Sequence, residues 1–253
     1  MTSQIKNPCS IFCGSSASPP ILHLTNISKS YPSPAGPVEV LRAVNLQVDA
    51  GEFIVITGPS GSGKTTLLSI AGLLDAPTAG TVAFAGQTLP PNDEETLRDI
   101  RSRHVGMIFQ RFHLLEHRSV VENVMFRYRY LPHGRADARQ RALALLDQFG
   151  LADTADRPAR VLSAGERQRV AIARAVVLPP KLLLADEPTG SLDPAAADRV
   201  MDCFRNLHAQ GITVIFVTHN LALRAFATRH LRCAEGGLAE ESNVESPMSK
   251  VSA

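Results

Sequence analysis

Gly58-Pro59-Ser60-Gly61-Ser62-Gly63-Lys64-Thr65 fits the pattern G-x-x-x-x-G-K-[ST], and its reading decides the fold. Phe53 to Thr57, just before it, is short, apolar and rich in β-branched residues, which predicts a buried strand. Thr65 to Leu74, just after it, carries apolar residues at helical spacing. Strand, glycine-rich loop and helix therefore follow in the order that a polyphosphate cradle needs. Glycines let successive backbone N–H groups turn toward an anion with no Cβ in the way. The start of a helix adds unsatisfied N–H donors and a partial positive charge. Lys64 can reach β- and γ-phosphates, and the Thr65 hydroxyl can ligate magnesium. The alternative, a Gly/Ser-rich turn matching by chance, gives no reason for the flanking strand and helix. Alone, the motif indicates a nucleotide triphosphatase and nothing narrower.

The chain has 253 residues, 44% hydrophobic and 20% charged, which predicts a packed globule of one large domain or two small ones. No run approaches the roughly 18 apolar residues of a membrane span. The N-terminus lacks the basic start and apolar core of a signal peptide. Work at a membrane would require another chain to do the spanning. Cys9, Cys13, Cys203 and Cys233 are too scattered for a disulfide framework and suit a reducing compartment. Cys9 and Cys13 read as free thiols. Lys+Arg 26 against Asp+Glu 24 leaves no footprint for general nucleic-acid binding. From Arg98 to Arg141, however, ten arginines and no lysine stand against four acids. That stretch is either a solvated helical face or a surface docking near anionic lipid headgroups or an acidic partner loop.

Met1 to about Pro20 is Ser/Pro-rich and aperiodic, and predicts a disordered leader. Ile21 to Ile27 alternates like a strand, Val38 to Val48 holds a second, and Tyr31 falls on the strand-end loop between them. An exposed aromatic there could stack an adenine ring or could pack in the ordinary way. Pro77 to Gly80 is a turn, Thr81 to Phe84 a short strand, Thr96 to Arg103 a helix, and Val105 to Phe109 a strand ending at Gln110. Arg111 to Arg160 turns helical in pattern, with Ser119 as a cap for Val120 to Arg127. Its segment Ala136 to Phe149 sets Ala142, Leu143, Leu146 and Phe149 on one side. This predicts a small helical lobe inserted in an α/β domain. Leu162-Ser163-Ala164-Gly165-Glu166-Arg167-Gln168 opens a long apolar helix that Pro179-Pro180 ends. Leu182 to Ala185 predicts a buried parallel strand delivering Asp186 and Glu187 at its C-terminal edge, where open α/β sheets bind ligands. Asp193-Pro194 starts a helix to about Gln210, Ile212 to Thr218 is a strand ending at His219, and a last strand lies near His230 to Cys233. From Glu235 onward the chain is polar and reads as loose.

Three predicted strand ends thus supply a phosphate cradle, a pair of carboxylates and a histidine, the residue types that ATP hydrolysis uses to hold phosphate and metal, orient water and sense the γ-phosphate. In this combination the chain resembles the ATP-binding subunit of an ABC transporter, from about Leu22 to Leu238. The resemblance implies a fold of α/β class, a P-loop NTPase domain of ABC type with an antiparallel β subdomain and an inserted helical lobe. Its domain would run over 21–238, with the lobe at about 111–160, a leader at 1–20 and a flexible tail at 239–253. By the same resemblance Tyr31 is the adenine-stacking aromatic, and Gly58 to Thr65 with Thr66 is the nucleotide-binding loop, comprising Gly58, Pro59, Ser60, Gly61, Ser62, Gly63, Lys64 and Thr65. Gln110 sits near magnesium and the attacking water. Asp186 holds magnesium together with Thr65, Glu187 orients the water or takes its proton, and His219 contacts the γ-phosphate. Ser191-Leu192-Asp193 is the D-loop.

The signature of this family usually reads LSGGQ. Here Ser163, Ala164, Gly165 and Glu166 follow Leu162, so two positions differ while the Ser163 hydroxyl and the Gly165 N–H remain. Ala164 is tolerable at negative φ, and the charge of Glu166 would be neutralised by Arg167 beside it. The signature implies a partner. It serves the nucleotide of a second copy, so two ATP molecules lie between head-to-tail subunits. Hydrolysis would open that clamp and push integral membrane permease subunits through a cleft near Gln110. The expected cofactors are ATP and Mg2+, and the expected place is the cytoplasmic face of the inner membrane, bound peripherally, with no nucleic acid. Leu184 to Asp193, Gln110 to Leu115 and Glu122-Asn123-Val124 resemble the lipoprotein-releasing and macrolide-exporting group more than nutrient importers. A non-transporting membrane complex in cell division would use the same ATPase. A soluble relative acting on DNA or ribosomes would carry coiled-coil insertions or a second phosphate loop, and the sequence has neither.

Overall fold

Alternation along three apolar strands decides the architecture. The computed structural model describes residues 19–130 and 137–241. Strands β3 (Phe53–Thr57), β7 (Leu182–Asp186) and β8 (Thr213–Thr218) are buried on both faces. Their side chains point alternately up and down, as the pleat requires. Phe53, Val55, Leu183, Ala185, Val214 and Phe216 enter one core. Ile54, Ile56, Leu182, Leu184, Ile215 and Val217 enter another. A sheet covered on both sides is the usual setting of parallel strands, and these are parallel.

The six-stranded sheet has the order β10-β9-β3-β8-β7-β6, completed by β6 (Val105–Ile108), β9 (Arg229–Ala234) and β10 (Gly237–Glu240). All neighbours are parallel except β10, which runs antiparallel on the edge. A second, four-stranded antiparallel sheet has the order β2-β1-β4-β5, formed by β1 (Leu22–Tyr31), β2 (Val38–Val48), β4 (Ala79–Phe84) and β5 (Gln87–Leu89). Its inward residues Leu22, Leu24, Ile27, Leu41, Val44 and Val82 share the second core with α1 (Lys64–Ala71). The first core takes α5 (Ala164–Val176) and α6 (Pro194–Ala209).

The expected lobe has no core of its own. α3 (Val120–Met125), the 3-10 turn Phe126–Tyr130 and α4 (Ala138–Gln148) pack on α5 and join the first core through Val120, Val121, Val124, Ala142 and Leu146. Ser119 caps α3 as the sequence predicts, and Glu122 closes a reciprocal capping box with it. Asn123, fully buried, holds the chain entering α3. Its side chain accepts from Leu115 N at 2.7 Å and donates to the Leu115 and Ser119 carbonyls at 3.0 Å.

Several boundaries differ from the sequence reading. α1 stops at Ala71, because Leu73 takes a left-handed φ of 58°. α2 (Glu94–His104) begins earlier, capped by Asp93, which accepts from Thr96 N at 3.1 Å. Strand β5 was not anticipated. The loose stretch expected from Glu235 is corrected over its first part: Gly237–Glu240 pairs with β9, and Arg224 and Arg229 fasten it through Glu241 and Glu240 at 2.8 and 3.0 Å. Within the arginine-rich run, Arg101 pairs with Glu94, Arg103 with Asp99, Arg118 with Glu122 and Arg139 with Asp156, while Arg127 is buried. Burial lowers the Arg127 guanidinium to about 10, and it donates to the carbonyls of Ser102, Val105 and Ala175. The leader apart from Pro19 and Pro20, the thiols Cys9 and Cys13, residues 131–136 of the lobe and the tail beyond 241 lie outside the described residues.

Asn123→Ala should lower the free energy of unfolding by about 1–3 kcal/mol in urea denaturation, since the buried Asn123 amide is lost and the part-buried Leu115 N–H and carbonyl lose their partners. A loss under about 0.5 kcal/mol would contradict this account of the lobe.

Candidate functional site

The parallel register brings the predicted residues into one row. β8 lies between β3 and β7, with Thr57 opposite Thr218 and Asp186 opposite Val217, while β6 follows β7. The glycine-rich loop, His219, the Asp186-Glu187 pair and Gln110 therefore leave adjacent strand ends at one edge, about 5 Å apart from strand to strand. That is the edge where such sheets bind ligands.

The loop is shaped by close approach. A Cβ on Gly58 would sit 2.0 Å from the Cys233 carbonyl oxygen, so no other residue fits against the end of β9. Cys233 Sγ donates to Ser62 O at 3.0 Å, and burial pushes this thiol upward. Ser62 Oγ is buried with no hydrogen-bond partner among the described residues. An orphaned hydroxyl costs free energy unless an acceptor or donor reaches it, which fits a loop built to surround a polar ligand. Lys64, only 8% exposed, donates from Nζ to the Gly58 and Pro59 carbonyls at 2.9 and 2.8 Å, lying across the mouth of the loop. Pro59, Ser60 and Gly61 form the tip, and Gly63 precedes α1 as its N-terminal cap.

Thr65 Oγ1 donates to Asp186 Oδ2 at 2.9 Å, joining the start of α1 to the end of β7. Burial pushes the Asp186 carboxyl above its ordinary range; the Thr65 hydrogen bond opposes this and the charge of Glu187 adds to it. A buried, hydroxyl-paired carboxylate with a raised pKa is a donor set that a hard cation with oxygen ligands would relieve. Glu187 takes a left-handed φ of 47°, a conformation that costs a non-glycine residue about 1 kcal/mol or more. The turn ends the strand and aims the side chain at β8: His219 Nδ1 donates to Glu187 Oε1 at 2.9 Å and Thr218 to Oε2 at 3.3 Å. Strain of this kind persists where the surroundings hold it. Gln110 is exposed just beyond β6, at the same edge.

Tyr31 is the last residue of β1, not part of a following loop, and is 38% exposed. Its hydroxyl donates to Asp75 Oδ2 at 2.7 Å. Thr66 is near enough to the phenol to favour its ionised form, though burial and Asp75 together raise its pKa.

Ser163 caps α5 in a capping box with Glu166. Ser163 N and Oγ donate to Glu166 Oε2 at 2.8 and 2.7 Å, and those hydrogen bonds hold the carboxyl below the ordinary range, helped by Arg169 and Arg157. The expected neutralisation by Arg167 is therefore corrected: its guanidinium lies over the Phe112 ring at 5.2 Å. Ala164 starts the helix and is absent from the residues with positive φ, as the substitution requires. A Cβ on Gly165 would lie 2.8 Å from Ala196 Cβ, so this glycine is needed for contact with α6. Asp193 caps α6, accepting from Ala196 N at 2.9 Å. Sequence reading missed Thr218, although a polar residue at a strand end beside His219 signals it. It also missed Asp75, for which no spacing gave a sign.

With this geometry in place, the chain belongs to the ABC transporter family, whose profile matches residues 41–190. It is 44% identical over 216 residues, 85% of its length, to the macrolide export ATP-binding/permease protein MacB of Salmonella typhimurium strain LT2, of which the match covers 33%. It is 42% identical over 235 residues, 92% of its length, to the MacB of Syntrophobacter fumaroxidans, again 33% of that protein. The chain thus spans about one third of the length of these relatives. A dimeric structure of the bacterial ABC transporter cassette MJ0796 superimposes with a TM-score of 0.81 at 36% identity, covering 87% of this chain and 98% of that one. A second MJ0796 dimer, in a post-hydrolysis state with ADP and Pi, gives 0.80 at 36% identity over 87% and 98%. The domain is an ABC-type ATPase in fold and family, and the macrolide-export resemblance read from its motifs holds.

The buried Asp186 gives a stability prediction. Its folded pKa is raised, so its contribution is fully present below the unfolded value near 3.8 and is lost as pH rises through the folded value. Asp186→Asn keeps an acceptor for Thr65 and removes the charge. Its nucleotide-free thermal midpoint should exceed that of wild type at pH 7 by calorimetry, with the gap narrowing toward pH 4. A lower midpoint at pH 7 would refute the assignment.

Proposed function

We propose that this domain binds ATP with magnesium, pairs head-to-tail with a second copy, and hydrolyses ATP to drive an export or lipoprotein-release permease at the cytoplasmic face of the inner membrane. The observation that carries the reading is the row of strand ends in which Thr65 touches Asp186 and Glu187 touches His219, both at 2.9 Å. Backbone N–H groups from Gly58 to Thr66 cradle the phosphates, Lys64 leaves its two carbonyls for the β- and γ-phosphates, and Tyr31 stacks the adenine. Magnesium, bound by Thr65 and Asp186 with Gln110 nearby, would supply charge neutralisation on the phosphate oxygens. Glu187 orients the attacking water and accepts its proton, held in place by Thr218 and His219. His219, 69% exposed at its side chain, holds Glu187 through Nδ1 and offers its other ring nitrogen to the γ-phosphate.

In the dimer, Ser163 and the Gly165 N–H at the start of α5 meet the γ-phosphate of the opposing copy, with Ala164 and Glu166 beside them and Asp193 at the seam. The dimeric state of the MJ0796 cassette supports this arrangement. The groove next to Gln110, about 990 Å³ and lined by Met107, Phe109, His113, Phe126, Arg127 and Arg174, is the proposed seat of the permease. Among the described residues no helix is long and apolar enough to cross a membrane. The relatives' names join ATP-binding and permease in one protein, and this supports a second reading in which the permease is continuous with the domain.

Lys64→Ala should abolish phosphate release. Glu187→Gln should bind ATP and elute as a dimer in size-exclusion chromatography while turnover falls about 100-fold or more. Wild-type turnover by Glu187→Gln would sink its role. Tagged Glu187→Gln, solubilised from membranes in mild detergent with MgATP, should bring down a distinct integral protein; its absence would overturn the separate permease.

A further inference from the structure

Lys29 and Tyr31 lie two apart on β1, so their side chains share one face of the sheet. Asp75 lies four residues beyond the end of α1, the helix that starts at the glycine-rich loop. The three side chains meet. Asp75 Oδ2 accepts from the Tyr31 hydroxyl at 2.7 Å, and Oδ1 accepts from Lys29 Nζ at 2.6 Å. Lys29 also donates to Ala76 O at 2.7 Å, and its ammonium stands 4.8 Å from the centroid of the Tyr31 ring. The Lys29 side chain is only 12% exposed, so this is not a loose surface ion pair. Burial raises the Asp75 carboxyl, but the hydrogen bonds from Lys29 and Tyr31 outweigh it and keep Asp75 ionised as an acceptor.

We propose that Asp75 is a positioning residue for the nucleobase: it pins the Tyr31 phenol at its rim while Lys29 covers one ring face, leaving the other face to stack a flat base. The inference rests on the reading of Tyr31 as the adenine-stacking aromatic. A ring fixed in advance spares the ordering cost of a mobile side chain when the nucleotide arrives. Losing the tie should weaken stacking and leave phosphate binding alone.

The test compares two probes, ATP and inorganic tripolyphosphate, by isothermal titration with magnesium in a Glu187→Gln background. Asp75→Ala and Tyr31→Phe should each weaken ATP about three- to tenfold, the range of an aromatic pair contact. Neither should change tripolyphosphate affinity, and the double variant should be no weaker than either single. Equal losses for both probes would mean that Asp75 only holds the fold, and additive losses would mean that it acts apart from Tyr31; either overturns the proposal. Tyr31→Ala separates the two readings. If it leaves ATP affinity unchanged, the stacking role itself fails and the inference falls with it. If it weakens ATP while Asp75→Ala does not, stacking stands and the positioning role alone is overturned.

Discussion

The parallel ladder from β3 through β8 and β7 to β6 is the constraint on which the rest of this structure depends. Its hydrogen bonds set neighbouring strand ends one strand spacing apart, so groups distant in sequence stand in a row without contact of their own choosing. Lys64 and Asp186 are more than a hundred residues apart, yet Thr65 and Asp186 are within 2.9 Å because β3 and β7 both flank β8. The two cores serve that ladder. One presses α5, α6 and the lobe on one face, and the other presses α1 and the antiparallel sheet on the opposite face. A slip of one residue in any central strand would exchange its core faces, so register and site geometry are specified together.

Several features of the site oppose stability. Asp186 is a buried carboxyl beside Glu187, Glu187 is held in a left-handed turn, and Ser62 keeps a buried hydroxyl with no partner among the described residues. Each runs against the local rules that the surrounding strands obey. Such departures cluster where a fold must meet a ligand, and the apolar ladder supplies the stability that offsets them.

Much of this was legible because it is written in short-range patterns. Glycine spacing marked the loop, apolar runs ending in Asp186-Glu187 and His219 marked the site edge, and Ser119, Ser163 and Asp193 marked helix starts by cap chemistry. Strand order was not legible, since it is a property of long-range pairing, and so the contact of Thr65 with Asp186 could be implied only by resemblance. β10 was missed because its four residues, Gly237-Leu238-Ala239-Glu240, are too few to show an alternation of their own; their pairing comes from β9 and from the arginines at 224 and 229. The partner of Glu166 was misread because adjacency in sequence suggested Arg167, whereas a helix turn carries neighbouring side chains in different directions and returns residue N3 to its cap.

The contact of Gly165 with Ala196 couples two helix starts into one part. Ser163 begins α5 and Asp193 begins α6, and with no Cβ between them these helices touch close to both N-termini. A rotation of α5 would press on Ala196, three residues from Asp193. The two segments would therefore reach or leave any opposing surface in step, as a single stiff edge instead of two independent fingers.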